Sequence, residues 1–268
     1  MNIKKSLLFC IIAVISSQVS AHSRWLLPSH FTLSSDKGEW VAIDATASNE
    51  VFNVDKALGL DSLSILTPSG KSSRPSSLYK AHRKSIADYF IEENGTYKLT
   101  NNATASYFSS YKVAEKRKRA RVNKFELAAI APKNATNKQT TYGFTRVETY
   151  ITQNNPTDNF GTDGKFLELI PKTHPSEIVE QEEVTFVFTY HGAIQAGVEV
   201  EITPEGVRYR NNPETISVIS NDKGEITFTP EHAGRYLLVA EYKQAATNKT
   251  LADMEQGGVF LTFEAQLQ

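Results

Sequence analysis

The chain has 268 residues, 40% of them hydrophobic and 22% charged, with one cysteine and a formal charge of −1. Those proportions belong to a folded globular chain and exclude wholesale disorder, a fibrous repeat or a polytopic membrane protein. A near-neutral balance gives duplex nucleic acid no basic excess to bind, and the lone Cys10 excludes an intramolecular disulfide.

Residues 1–21 read as a secretory signal: Lys4 and Lys5 precede an apolar stretch from Leu7 to Ile15, and Val19-Ser20-Ala21 offers a small-residue cleavage site. An apolar run of about nine residues is too short to cross a bilayer as a helix. Cleavage after Ala21 makes His22 the first residue, carrying a free α-amine with a pKa near ~8 beside an imidazole near ~6.5. The amine nitrogen and Nδ1 of one residue close a chelate ring suited to Cu(II), Ni(II) or Co(II). The plain alternative is that His22 merely happens to be the residue after the cleavage site.

Short extended segments come next. Val41, Ile43 and Ala45 alternate with polar or small neighbours, as do Leu63 and Ile65, while Tyr97 and Leu99 come after the turn signal Asn94-Gly95. Lys112 to Lys124 holds seven basic residues against Glu115, Phe125 to Ile130 is expected to be a strand, and Thr145 to Thr152 another. Such a charge run is either a solvated hairpin or a surface for anionic headgroups or a charged receptor. Residues Asn154 to Gly164, rich in Asn, Pro, Thr, Asp and Gly, read as a linker or long loop.

The second block alternates more clearly, with Val184, Phe186, Phe188 and Tyr190 on one face and Val198, Val200 and Ile202 opposite Glu199 and Glu201. Further strands are expected at 216–219, 226–228, 236–242 and 259–263, and the segment 245–256 is a short helix or a loop. This spacing predicts an all-β chain of two β-sandwich domains, residues 22–160 and 165–268. Tyr236, just past Gly234, is either a tyrosine corner or an ordinary core residue.

Of the six histidines, His191 and His232 fall in predicted turns, His30 lies too far along its segment to share an ion with His22, and His82 stands beside Arg83 and Lys84. His174, between Pro171 and the second block, faces the domain junction, where pockets tend to form. No Gly-x-Ser-x-Gly elbow, His-Glu-x-x-His helix, phosphate-cradling loop or cysteine nucleophile occurs, so a hydrolase is not expected.

The opening from His22 to Ser29, the run Ala47 to Phe52 with Asp55, Leu63 to Gly70, Gly95 to Tyr97 and Glu148 to Tyr150 form an ordered series. It continues through Leu167 to Pro171 with His174-Pro175, Arg208 to Arg210, Asn221 to Gly224 and Ala233 to Tyr236. The series resembles an uncharacterised family of bacterial periplasmic proteins described as similar to the periplasmic component of nickel and cobalt uptake systems. The resemblance implies a periplasmic location and an immunoglobulin-like second domain. It also implies a non-enzymatic accessory role in handling a divalent transition metal (Ni, Co or Cu), with His22, His174 and Glu148 as candidate ligands. An outer-membrane receptor or inner-membrane transporter is the partner it implies. Two alternatives stand beside it: an envelope module that docks an outer-membrane receptor without metal, and a copper oxidase gripping its ion with a histidine brace.

Overall fold

Val41, Ile43 and Ala45 are fully buried while Ala42 between them faces out, and Val200 and Ile202 are buried between the exposed Glu199 and Glu201. Only an extended strand with one dry face gives that period of two. The computed structural model describes residues 22–268, and its strands keep that pattern through the chain. The signal-peptide reading of residues 1–21 lies outside the described residues.

The first half contains β1 (Ser23–Pro28), β2 (Thr32–Leu33), β3 (Glu39–Ser48), β4 (Lys56–Ala57), β5 (Leu63–Leu66), β6 (Ser72–Ser73), β7 (Ser77–Lys80), β8 (Ser85–Ile91) and β9 (Gly95–Asn102). Then come β10 (Ser106–Val113), β11 (Lys116–Ala120), the helix α1 (Lys124–Ile130) and β12 (Thr136–Gln153). The second half contains β13 (Leu167–Pro171), β14 (Val184–Tyr190), β15 (Ala193–Ile194), β16 (Glu199–Pro204), β17 (Ile216–Ile219), β18 (Glu225–Phe228), β19 (Gly234–Ala245) and β20 (Met254–Ala265).

The two halves repeat one connectivity. In the first, β1–β3–β8 form one sheet and β6–β5–β9–β12 the other; in the second, β13–β14–β18 face β17–β16–β19–β20. That is the Greek-key arrangement of an immunoglobulin-like sandwich, present twice in an all-β chain. Each half also ties the corner before its penultimate large strand with a tyrosine in a Gly-x-Tyr sequence. Tyr236 Oη donates to the His232 carbonyl at 2.6 Å, which makes it a tyrosine corner, and Tyr97 Oη accepts from the Glu93 amide at 2.6 Å. Gly95, at φ +126°, has to be glycine, because a Cβ there would sit 2.6 Å from a Pro68 side-chain carbon.

The last strands of the two halves, β12 and β20, pair in parallel from Thr141↔Met254 to Thr149↔Thr262. One eight-strand path therefore crosses both sandwiches, β17-β16-β19-β20-β12-β9-β5-β6. The covering sheets lie on its opposite faces, as the alternation along β19 and β20 shows. Leu238, Leu261 and Phe263 enter the core of the second sandwich, whereas Leu237 and Phe260, one residue over, enter the core of the first.

Residues 125–130 are helical rather than extended, which corrects the expected strand. Asn123 caps the helix by accepting from the Glu126 amide, and the Glu126 carboxylate accepts from the Asn123 amide in return. This capping box supplies partners for two otherwise orphaned groups. The expected strand at 145–152 is longer than its alternation suggested, because its first half pairs with β10.

Candidate functional site

The shared sheet exposes a second face of β9 and β12 that the first sandwich does not cover. Lys98, Arg146, Glu148 and Tyr150 point there, and residues 154–166 lie across them. Lys98 Nζ stands 3.1 Å from Glu148 Oε1 and donates to the Gly161 carbonyl at 3.3 Å. Arg146 donates to Asp163 Oδ1 at 2.5 Å and to the Lys165 and Leu167 carbonyls. The Glu168 carboxylate receives the amides of Asp163 and Gly164. Burial acts to lower the Lys98 pKa, but the Glu148 carboxylate and Tyr150 together outweigh it and the net shift is upward. Burial also raises the Tyr150 phenol, and the Arg146 guanidinium holds Asp163 below the ordinary carboxylate range against the opposing effect of its own burial.

Two of the predicted ligands belong to this junction. His174 is buried; its Nε2 lies 2.9 Å from Thr96 Oγ1 and 3.3 Å from the Thr157 carbonyl, while Nδ1 accepts from the Ser176 amide and hydroxyl. Glu148 is committed to Lys98, although its Oε2 has no partner among the described residues. His22 lies apart from both, at the start of β1, where Nδ1 donates to Asn49 Oδ1 at 2.6 Å and Nε2 accepts from Lys56 Nζ at 3.1 Å. The structure does not bring His22, His174 and Glu148 together. Among the described residues no three His, Cys, Asp or Glu side chains are placed to hold one metal ion. As a set these residues do not fit a metal centre.

The remaining histidines are dispersed. His191, read from sequence as a turn residue, lies 2.5 Å through Nε2 from the buried Glu255 and accepts the Phe166 amide through Nδ1. Nothing local foretold that contact, because Glu255 is 64 residues away. His30 is exposed beside Ser29, and His82 is an exposed turn residue.

The outward-facing chemistry is concentrated on the hairpin β10–β11. Its two-residue turn, Ala114-Glu115, has both φ angles positive (46° and 63°), the primed geometry that matches strand twist. Register places Lys112 opposite Arg117 and Ser110 opposite Arg119. Phe108, 47% exposed, lies on this same face with the Arg121 guanidinium 5.6 Å from its ring centroid. The other face packs inward at its β10 end, where Tyr107 stacks on Tyr142 at 4.6 Å and Ser109 bonds Thr140 and the Val122 carbonyl. Lys112, Arg117, Arg119 and Arg121 thus form a cationic strip around an exposed ring, with Glu115 at the turn as its acidic neighbour. Alternation along β11 divides its basic residues between the faces, Arg117 and Arg119 beside Lys112 and Phe108, and Lys116 and Lys118, also exposed, on the other face.

A search of curated proteins found no match. Among solved structures the chain is similar to the adhesin InvE of Yersinia pseudotuberculosis at 12% identity and a TM-score of 0.24, covering 90% of this chain and 60% of that one. It is also similar to the D0-D1 domain of intimin at 13% identity and a TM-score of 0.24, covering 90% and 97% of the two chains. The trypsin-activated alpha-2-macroglobulin of Escherichia coli overlaps 89% of this chain and 23% of its own, at 11% identity and a TM-score of 0.21. The family model of DUF4198, a domain of unknown function, matches residues 19–244, and the chain belongs to that family.

Proposed function

We propose that the protein is a non-catalytic interaction module of the bacterial cell envelope that docks on an anionic, phosphate-bearing membrane surface through the hairpin β10–β11. One observation carries this reading, the segregation of charge. Residues 112–124 hold seven basic side chains and one acidic, a net +6, while the 22 basic and 29 acidic residues elsewhere leave the rest of the chain at −7. An anionic surface attracts the hairpin and repels the body, so the charge pattern selects an orientation as well as a contact. Each Lys or Arg near an anionic leaflet contributes about 1 kcal/mol, over a range of about 8–10 Å at physiological salt. Phe108 adds an apolar ring at the level of the headgroups. The buried charges, by contrast, are taken up in joining the linker to the sheet. Among the described residues no helix is long and apolar enough to cross a membrane.

Cosedimentation with phosphatidylglycerol vesicles tests the reading. Binding is expected at low ionic strength, with release as salt rises, none to phosphatidylcholine vesicles, and none by the Arg117→Glu/Arg119→Glu variant. Equal behaviour of the two lipids, or of the variant and the parent, overturns it.

A second reading, a nickel- or cobalt-handling role, is favoured by the setting of His22. Its ring is half-buried at the surface with both nitrogens on polar side chains, open to exchange rather than packed among apolar ones. Calorimetric titration with Ni, Co, Cu and Zn, comparing a chain that begins at His22 with one carrying an extra residue ahead of it, tests this. Equal affinities remove His22 from any site.

A further inference from the structure

Trp40 is 58% exposed, on a strand whose neighbouring apolar residues Val41 and Ile43 are buried; the chain's other tryptophan, Trp25, is 1% exposed. A single exposed ring is ordinary on a protein surface, but this one stands beside a second ring and a fixed carboxylate. Trp40 lies on the outer face of β3, opposite Phe90 of β8 and 5.3 Å from its ring centroid. The Phe90 ring is in turn packed on Gly38, where φ is +75° and a Cβ would come within 2.9 Å of the ring and 2.5 Å of the Ile91 carbonyl. Glycine at the turn therefore lets Phe90 lie flat, and Phe90 supports Trp40.

Beside Trp40 is a cleft of about 470 Å³ lined by Trp40, Ser76, Ser77 and Asp88. It lies within the range of about 300–1,000 Å³ typical of small-molecule sites. The register sets Ala42 opposite Asp88, and that short side chain leaves the floor open. Asp88 is held at both ends: its Oδ2 accepts from the Ser77 hydroxyl at 2.9 Å and its carbonyl from the Ser76 amide at 2.8 Å. Its Oδ1 and the Ser76 hydroxyl have no partner among the described residues.

We infer that this cleft is a saccharide-binding subsite, in which a pyranose ring stacks its C–H face on Trp40 while its hydroxyls donate to Asp88 Oδ1 and bond to the Ser76 hydroxyl. A flat exposed ring beside a fixed carboxylate and free hydroxyls matches a ligand with one apolar face and a rim of donors. Phe90 is packed against Trp40, so the cleft presents one ring face and no second ring to enclose a cation. The subsite is on the outer sheet of the first sandwich and shares no residue with the hairpin, so it stands independently of the membrane-docking reading.

Because Trp25 is buried, iodide quenching of the full chain reports on Trp40. Chitotetraose and cellotetraose are the oligomer probes, glucose the free-sugar probe and tetramethylammonium the cation control. Saturable protection by a sugar supports the proposal; preference for a tetraose points to a polymer as the source, and equal response to glucose points to free sugar. Affinity, read by calorimetry, is expected to fall roughly tenfold or more in Trp40→Ala, the scale of one lost ring contact, and to fall in Asp88→Asn while the unfolding temperature holds. Trp40→Phe is expected to recover part of the loss. No protection by any sugar, unchanged affinity in Trp40→Ala, or stronger protection by tetramethylammonium overturns it.

Discussion

Lys98 and Glu148 face each other at 3.1 Å with side chains 8% and 1% exposed, so neither charge has water to fall back on. Taking ions out of water costs several kcal/mol each, and the pair persists because each is the other's solvent. Glu148→Ala leaves an ammonium in a dry site and is expected to cost about 3–5 kcal/mol in chemical denaturation, whereas Lys98→Met/Glu148→Leu together should cost less than either change alone. Glu241 presents the opposite case. It sits directly across from Glu199 on β16, and burial first, then Glu199 and Glu201, raises its pKa. A carboxylic acid whose folded pKa lies above its unfolded value weakens the fold when ionised, and that penalty fades as pH falls through the carboxylate range. Glu241→Gln is therefore expected to raise the melting temperature at neutral pH by about 2–4 °C, for a gain near 1 kcal/mol, with the difference closing in acid. A melting temperature unchanged at neutral pH, or a difference that persists in acid, counts against this account.

At the scale of the element, the hairpin β10–β11 is held in shape by a turn that its residues do not prefer. Ala114 and Glu115 both occupy positive φ, where a side chain costs of order 1 kcal/mol or more. Ala114→Asn/Glu115→Gly places the preferred turn pair there and is expected to stabilise the chain by about 1 kcal/mol without altering the strip of Lys112, Arg117 and Arg119. Vesicle binding by this variant should equal or exceed the parent's, since Glu115→Gly also removes the strip's acidic neighbour. The strands themselves were legible wherever one face is dry and the other wet, as at Val41 to Ala45 or Glu199 to Ile202. Helix α1 was not, because Phe125 and Leu127 fit a period of two as well as a helical turn, and the deciding signal was the cap Asn123 with Glu126. Lys98, Arg146 and Glu148 were illegible for a different reason: a charged residue in a strand reads as solvent-facing, and their cover is a linker that approaches from outside the sheet. The hydroxyls of Thr96 and Ser176 that engage His174 carry no sequence pattern. The basic run was plain from composition, and the grouping of Lys112, Arg117, Arg119 and Arg121 around Phe108 needed the register.

For the whole molecule the decisive feature is the parallel pairing of β12 with β20, which joins strands 113 residues apart at Thr149 and Thr262 and so leaves no trace in local sequence. Two sandwiches linked in tandem ordinarily unfold as separate units. Here the same strand serves both: Leu237 of β19 is fully buried in the first core while its neighbour Leu238 is fully buried in the second. Loosening the second sandwich strips Leu237 and Phe260 from the first and exposes the edge of β12. Calorimetry is therefore expected to show one transition with equal calorimetric and van't Hoff enthalpies. Leu237→Ala should cost about 2–5 kcal/mol. By hydrogen exchange it should lower protection of β3 and β9 in the first half together with β16 and β19 in the second. Two resolved transitions, or a loss confined to one half, would mean that the seam transmits no stability and that the continuous sheet is two independent folds in contact.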